Sequence, residues 1–223
     1  YFEAVEAFRQ SHTVDAWGGP DAGHVSFTPL QQAMAWTMSS WLTTGGIRGK
    51  KGALDSFQPR SFNMGLSRAV FEKTGGFRFD RYAEDIELSI RMRESGFGVW
   101  LIPDAFVYHK RRTSLGQFYR QVRNFGRGRV EVARAHPGTL RLAHWLPLIF
   151  NLGFVVSFAL LIILPSIGKW MTGLYGFYLF MIFGGATLTT RSLKVGLLAV
   201  PSVIVQLGGY AEGFIKGLLS RRN

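Results

Sequence analysis

The sequence predicts a mixed α/β domain followed by an α-helical membrane region. Three observations carry that expectation. Short β-type runs alternate with helical patterns through residues 1–112, a strongly basic stretch occupies residues 113–144, and long apolar runs fill residues 145–223. The middle stretch reads as a basic amphipathic helix region at a membrane surface, and the last as a membrane region with two or three transmembrane helices.

The α/β part is legible element by element. Tyr1–His12 reads as a helix already under way, so the sequence is expected to begin inside a larger domain. Val14–Trp17 reads as a short buried strand ending at Gly18-Gly19-Pro20, and Leu30–Leu42 has apolar residues at helical spacing. Gly45–Gly52, GGIRGKKG, reads as a loop that could close over phosphates. Ser61–Leu66 reads as extended, and Ser67 as the N-cap of a short helix closed by Gly75-Gly76. Glu84–Ser95 is expected to be a helix stopped at Gly96. In it Ile86 and Ile90, and Leu88 and Met92, recur at i,i+4 as packing positions, and Glu87 with Arg91 forms a surface ion pair. Val99–Ile102 and Ala105–His109 are short β-type runs around Pro103.

Charge and hydropathy divide the chain. Up to His144 there are 20 Lys+Arg against 13 Asp+Glu, a balance of +7; from Trp145 there are 6 against 1, a balance of +5. Nine of the basic residues lie between Lys110 and Arg141, directly before the first apolar run. The net charge of +12 is therefore assigned to a membrane face with anionic lipid, and not to nucleic acid. Trp145–Pro165 carries no charge over 21 residues, and Trp170–Thr190 is a second uncharged run, joined to the first by SIGK as a hairpin link. Val195–Tyr210 is a third candidate, weakened by Pro201 and Gly208-Gly209. Two spans return the chain to the side of Arg191 and Lys194, whereas a full third span would place Arg221 and Arg222 on the opposite side, against the positive-inside rule. The absence of cysteine excludes disulfides and thiolate metal sites.

Glu84 and Asp85 stand side by side in RYAEDIELSIRMRESGF. Acidic residues in a first helical turn suit the helix dipole, and the two are about 100° apart around the axis, so one can take a proton while the other orients it or packs the helix. The succession FNMGLSRAVFEKTGGF, RYAEDIELSIRMRESGF, and VYHKRR followed by QFYRQVRNFGRGR resembles the C-terminal half of a family 2 glycosyltransferase, in particular bacterial members with a C-terminal membrane anchor. The likeness runs from about Trp17 to Leu146.

That resemblance implies a Rossmann-like GT-A fold, of which residues 1–112 are the acceptor-side half, and inverting transfer of a sugar from a nucleotide-sugar donor to a cell-envelope, lipid-linked or saccharide acceptor. It makes Asp85 the catalytic base, with Glu84 beside it. His109, Lys110 and Arg111 are placed toward the diphosphate, with His109 also a candidate metal ligand. Asp21 and Asn63, the latter with Met64, are placed on the acceptor side of the cleft. Gln121 and Arg123 fall where the family's QxxRW motif holds an acceptor; Asn124 and Phe125 replace its Arg and Trp, which argues against processive polymer synthesis. The resemblance also implies a divalent metal, Mg or Mn. The DxD motif that holds it is not in this sequence, so the chain alone is expected to be an inactive fragment. The location implied is the bacterial cytoplasmic (inner) membrane, with the catalytic part facing the cytoplasm and membrane lipids as partners. The rival readings are a non-catalytic membrane adaptor, whose carboxylates would merely start a helix, and a polysaccharide synthase.

Overall fold

The computed structural model describes residues 1–24, 26–44 and 57–220. The expected loop Gly45–Gly52, with Arg48, Lys50 and Lys51, and the terminal Arg221 and Arg222 lie outside the described residues. The chain forms two compact units. One is built from Tyr1–Phe27 and the chain from Met38 to Lys110; the other is built from Thr28–Thr37 and the chain from Arg111 onward.

The first unit is α/β. Helix α1 (Phe2–Ser11) leads into strands β1 (Ala16–Gly18) and β2 (Asp21–Ala22). Helix α2 (Pro29–Ser39), which belongs to the other unit up to Thr37, is followed by α3 (Trp41–Thr44), so the expected helix Leu30–Leu42 is broken at Ser40. The physical reason is local: the Leu42 N–H donates to the Ser40 hydroxyl oxygen (3.3 Å), which starts a new helix instead of continuing the old one. Strand β3 (Met64–Leu66), helix α4 (Arg68–Thr74), helix α5 (Glu84–Glu94) and strands β4 (Val99–Leu101) and β5 (Val107–Tyr108) complete the unit. The strands make two small sheets. In one, β1 lies between antiparallel β3 and parallel β4; in the other, β2 pairs in parallel with β5.

Alternation along β1 distributes the core to both faces of the three-stranded sheet. Ala16 packs with Val70, Leu88 and Met92, which places α4 and α5 on one face. Trp17 packs with Val5, Phe8 and Ile102, which places α1 on the other. A helix–sheet–helix layering of this kind is what an α/β sequence with short, buried strands must adopt to cover both sides.

The second unit is helical. Helix α6 (Leu115–Ala135) is capped at Ser114, whose hydroxyl oxygen accepts from the Gln117 N–H, and three longer apolar helices follow: α7 (Leu146–Ile163), α8 (Pro165–Thr190) and α9 (Leu193–Leu219). Each of these three is long and apolar enough to cross a membrane. The expected link SIGK is not a link, because it lies inside α8. The turn falls at Leu164 (φ −136°, ψ 76°): Pro165 excludes its predecessor from the helical region and then starts α8 at the first helical position, where its missing N–H costs nothing. The third run is also longer than expected. Pro201 sits within a continuous α9, where the neighbouring Ser202 hydroxyl donates to the Leu198 carbonyl (2.7 Å).

Helices α6 and α9 pack along one another through a glycine ladder. Gly209, Gly213 and Gly217 recur every four residues on α9, so they share a face. A Cβ at Gly213 would lie 1.8 Å from the Arg123 carbonyl oxygen, and one at Gly209 or Gly217 would meet Val122 or Val130 at 2.7 and 2.9 Å. Gly126 of α6 is pressed in the same way against the Tyr210 carbonyl. Small residues thus set the interhelical distance, as in helix pairs that cannot rely on hydrophobic exclusion by water.

Gly213→Val is expected to force the two backbones apart and to cost at least about 1–3 kcal/mol, read as a lowered melting temperature in detergent. Gly176→Ala is the matched control, since no heavy atom stands within 4 Å of a Cβ there; it should leave the melting temperature unchanged.

Candidate active site

Helix α5 carries the carboxylate pair, and a buried ion pair one turn further on fixes its position. Glu87 and Arg91 are 2% and 6% exposed, so the expected surface pair is in fact buried. Arg91 Nε donates to Glu87 Oε1 (2.6 Å) and Nη2 to Oε2 (2.7 Å). The same guanidinium donates to the carbonyls of Thr74 and Gly76, both at 2.6 Å. Those carbonyls flank Gly75, which ends α4 in the left-handed region (φ 72°), while the Ser67 hydroxyl oxygen accepts from the Val70 N–H at the other end. The arginine therefore occupies the negative end of α4 and ties it to α5.

The entry to α5 is strained. Ala83 caps the helix with φ 58° and offers no side-chain cap, so a residue with a Cβ sits where glycine is favoured. Immediately after it come Glu84, half-buried, and Asp85, 9% exposed. Asp85 Oδ1 accepts from the Ile86 N–H (2.8 Å), and Oδ2 stands 3.6 Å from Nη1 of Arg60.

One segment gathers the remaining sequence-predicted residues of this unit. Arg60 faces Asp85, and two residues on, Phe62 stacks on the His109 ring with centroids 4.0 Å apart and planes 15° apart. Next to it Asn63, which is buried, donates from Nδ2 to the Ala105 carbonyl (3.0 Å) and accepts from the Tyr1 hydroxyl (2.8 Å). Both ends of its amide are thus engaged in holding the segment to the turn ahead of β5 and to the residue that precedes α1. Asp21 lies in β2 opposite Val107, and the same ladder has the His109 N–H donating to the Ala22 carbonyl (3.2 Å). Lys110 is exposed at the end of this strand. Sequence reasoning missed Arg60. It sits in QPRSF, a run with no periodicity, and its partner is 25 positions away, so no local signal points to it.

The other predicted residues belong to the second unit. Arg111 is buried, and its carbonyl accepts from Gln31 Nε2 (2.8 Å). Gln121 is half-buried on α6. Arg123, also on α6, pairs through Nε with Glu212 Oε1 of α9 (3.2 Å), and Lys216 Nζ reaches the same oxygen (2.5 Å).

Among the described residues no three His, Asp or Glu side chains converge as a metal-holding group. His109 is stacked on the Phe62 ring. The residues described here do not by themselves fit a divalent ion, whose usual oxygen-rich ligand set they do not supply. What the arrangement offers chemically is a carboxylate on a rigid helix start, flanked by a second carboxylate and a guanidinium.

Comparison with known proteins gives two findings. The pattern of glycosyl transferase family group 2 matches residues 62–190, more than half of the chain. The succinoglycan biosynthesis protein ExoA of Rhizobium meliloti (strain 1021) is 24% identical over 202 residues, which cover 89% of this chain. The chain spans 59% of that relative's length.

Arg91→Met should cost about 3–5 kcal/mol, since it leaves Glu87 buried and uncompensated. The double variant Glu87→Leu with Arg91→Met should be less destabilised than the single one, although it still forfeits the bonds to Thr74 and Gly76. Thermal unfolding of both variants in detergent checks this. A double variant no better than the single one would show that the lost carbonyl bonds, and not the stranded charge, set the cost.

Proposed function

Since the chain belongs to the family 2 glycosyltransferases, we propose that it serves inverting transfer of a sugar from a nucleotide-sugar donor to a lipid-linked or saccharide acceptor of the bacterial cell envelope. The observation that carries this reading is Asp85: a carboxylate fixed on a helix start with Glu84 beside it and the Arg60 guanidinium 3.6 Å away.

In this reading Asp85 takes the proton of an acceptor hydroxyl as its oxygen attacks the anomeric carbon. The new bond forms on the face opposite the departing nucleoside diphosphate, whose oxygen keeps the electron pair of the broken C–O bond, so the configuration inverts. The two-carboxylate logic of inverting glycosidases is the chemical parallel, with an acceptor hydroxyl in place of water. Glu84 orients the base, and Arg60 holds its carboxylate by charge. His109 and Lys110, at the end of β5, stand toward the diphosphate, where fixed positive charge compensates the leaving group. The same reading gives Asp21 and Asn63 the acceptor side, Asn63 by shaping the segment that carries Arg60 and Phe62. A divalent metal, which the family commonly uses, would supply further neutralisation of the diphosphate.

Several features support a membrane-bound enzyme on the cytoplasmic side: three apolar helices, the basic α6 before them, and a relative named for polysaccharide biosynthesis. A lipid-linked acceptor would then lie in the surface that the protein occupies.

Asp85→Asn in the full-length protein should lower the rate of sugar transfer by about 10²–10⁴-fold, the usual contribution of a positioned general base, with donor binding retained. Glu84→Gln should cost less than Asp85→Asn. Radiolabelled sugar transfer in membranes, paired with a donor-binding measurement, is the assay. Unchanged transfer by Asp85→Asn would remove this assignment.

A further inference from the structure

We infer that α9 does not cross the bilayer: it lies in the membrane plane on the side where α6 lies, with an apolar stripe turned to the acyl chains of that leaflet. The membrane region then has two spanning helices, α7 and α8.

The argument follows the chain. Helices α7 and α8 form an antiparallel hairpin around the turn at Leu164. Gly168 fits against the Leu160–Leu161 backbone near the turn, and further along the Tyr175 hydroxyl donates to the Phe150 carbonyl (3.0 Å). The end of α8 therefore returns to the side from which α7 departs. Helix α9 starts there, since a Cβ at Gly196 would lie 1.9 Å from the Thr187 hydroxyl of α8.

The far end of α9 is on that side as well. Phe214 lies about 30 Å along the helix from Leu193 at the usual rise per residue. A spanning α9 would bring it level with the end of α7 at Ile163. Instead its ring packs on Trp145, the residue that precedes α7, with centroids 4.9 Å apart. Asn151, in the second turn of α7, is the side chain nearest a Cβ built at Gly208.

The pairing with α6 gives the same result. Tyr119 and Val122 meet Gly209, Arg123 meets Gly213, Val130 meets Gly217, and Arg134 Nη2 donates to the Ser220 carbonyl (2.8 Å). The two helices run parallel over this length. Since α6 ends at Ala135, ten residues before Trp145, the C-terminal half of α9 shares the side of α6. A helix of 27 residues, about 40 Å long, with both ends on one face of a membrane must lie along it.

The surface of α9 suits that position. Leu193, Leu197, Ile204, Ile215 and Leu218 are exposed, and their spacing returns them to one side of the helix, whereas the glycines that meet α6 fall on another. Lys194, Glu212 and Lys216 lie toward its two ends. An apolar face with charged residues at its margins is the pattern of a helix embedded at the level of the headgroups. Ser220 then lies on the side of Arg191 and Lys194, which removes the conflict with the positive-inside rule that a third span created.

The absence of cysteine makes the test direct. Single cysteines are introduced into the full chain as Thr113→Cys, Ser166→Cys, Lys194→Cys and Lys216→Cys, and a membrane-impermeant maleimide is applied to inverted and to right-side-out vesicles. The expected result is that Lys194→Cys and Lys216→Cys label from the side of Thr113→Cys, and Ser166→Cys from the other. Labelling of Lys216→Cys together with Ser166→Cys would establish a third span and overturn the inference. Labelling from neither side would place the segment inside the bilayer and overturn it equally. Leu219→Cys repeats the reading without disturbing the Glu212 ion pair.

Discussion

The candidate site depends on one buried guanidinium. Burying a charge is costly unless it is paired and its remaining hydrogen bonds are met, and Arg91 meets that condition with four donors at 2.6–2.7 Å. Lysine could not take its place, because a single ammonium cannot grip a carboxylate with two parallel bonds and also reach two carbonyls on the far side. The pair fixes both the distance of α5 from α4 and its rotation. Once Glu87 and Arg91 point into the turn after α4, Leu88 and Met92 face the sheet, where both are fully buried.

Fixing the rotation of α5 at Glu87 also fixes Asp85, half a turn earlier. The strain at Ala83 and the anchorage at Arg91 lie on opposite sides of the carboxylate, so the helix start is held from behind while its entry is forced into an uncommon conformation. The carboxylate itself is met by a second device, the segment from Arg60 to Asn63. Its anchors are polar and specific: Asn63 is held by Ala105 and Tyr1, and Phe62 by His109. Arg60 reaches Asp85 because the residues after it are tied down.

What was legible in the sequence was what local chemistry decides. The Ser67 cap, the Gly75 stop and the halt at Gly96, which has φ 84°, each follow from one residue's hydroxyl or its freedom at positive φ. The Glu84-Asp85 helix start could be read for the same reason. The errors have a common origin in tertiary contact. Spacing at i,i+4 predicts that Glu87 and Arg91 will pair but not that α4 will cover them. Nothing near Arg60 announces a partner on α5. In the apolar part, uniform hydropathy hid the turn at Leu164, because Pro165 reads as the end of one run although it begins the next helix. Pro201 and Gly209 weaken α9 as a sequence pattern, yet Gly209 is one of the glycines at which α6 packs closely on α9.

The ion pairs of the second unit make physical sense only where water is near. Glu212 takes Arg123 and Lys216 on one oxygen, and Arg134 spreads over the last carbonyls of α9. At the middle of a bilayer such a cluster would carry a heavy desolvation cost, whereas at the headgroup level long Lys and Arg side chains keep their charges hydrated while their stems cover apolar surface. Glycines bring α6 and α9 close enough for these short contacts, and the contacts in turn fix the register of two helices that hydrophobic exclusion alone would let slide. The glycine ladder, the charge cluster and the contact of Phe214 with Trp145 are therefore all consistent with the arrangement inferred above, a helix pair laid along the membrane surface beside the α7–α8 hairpin.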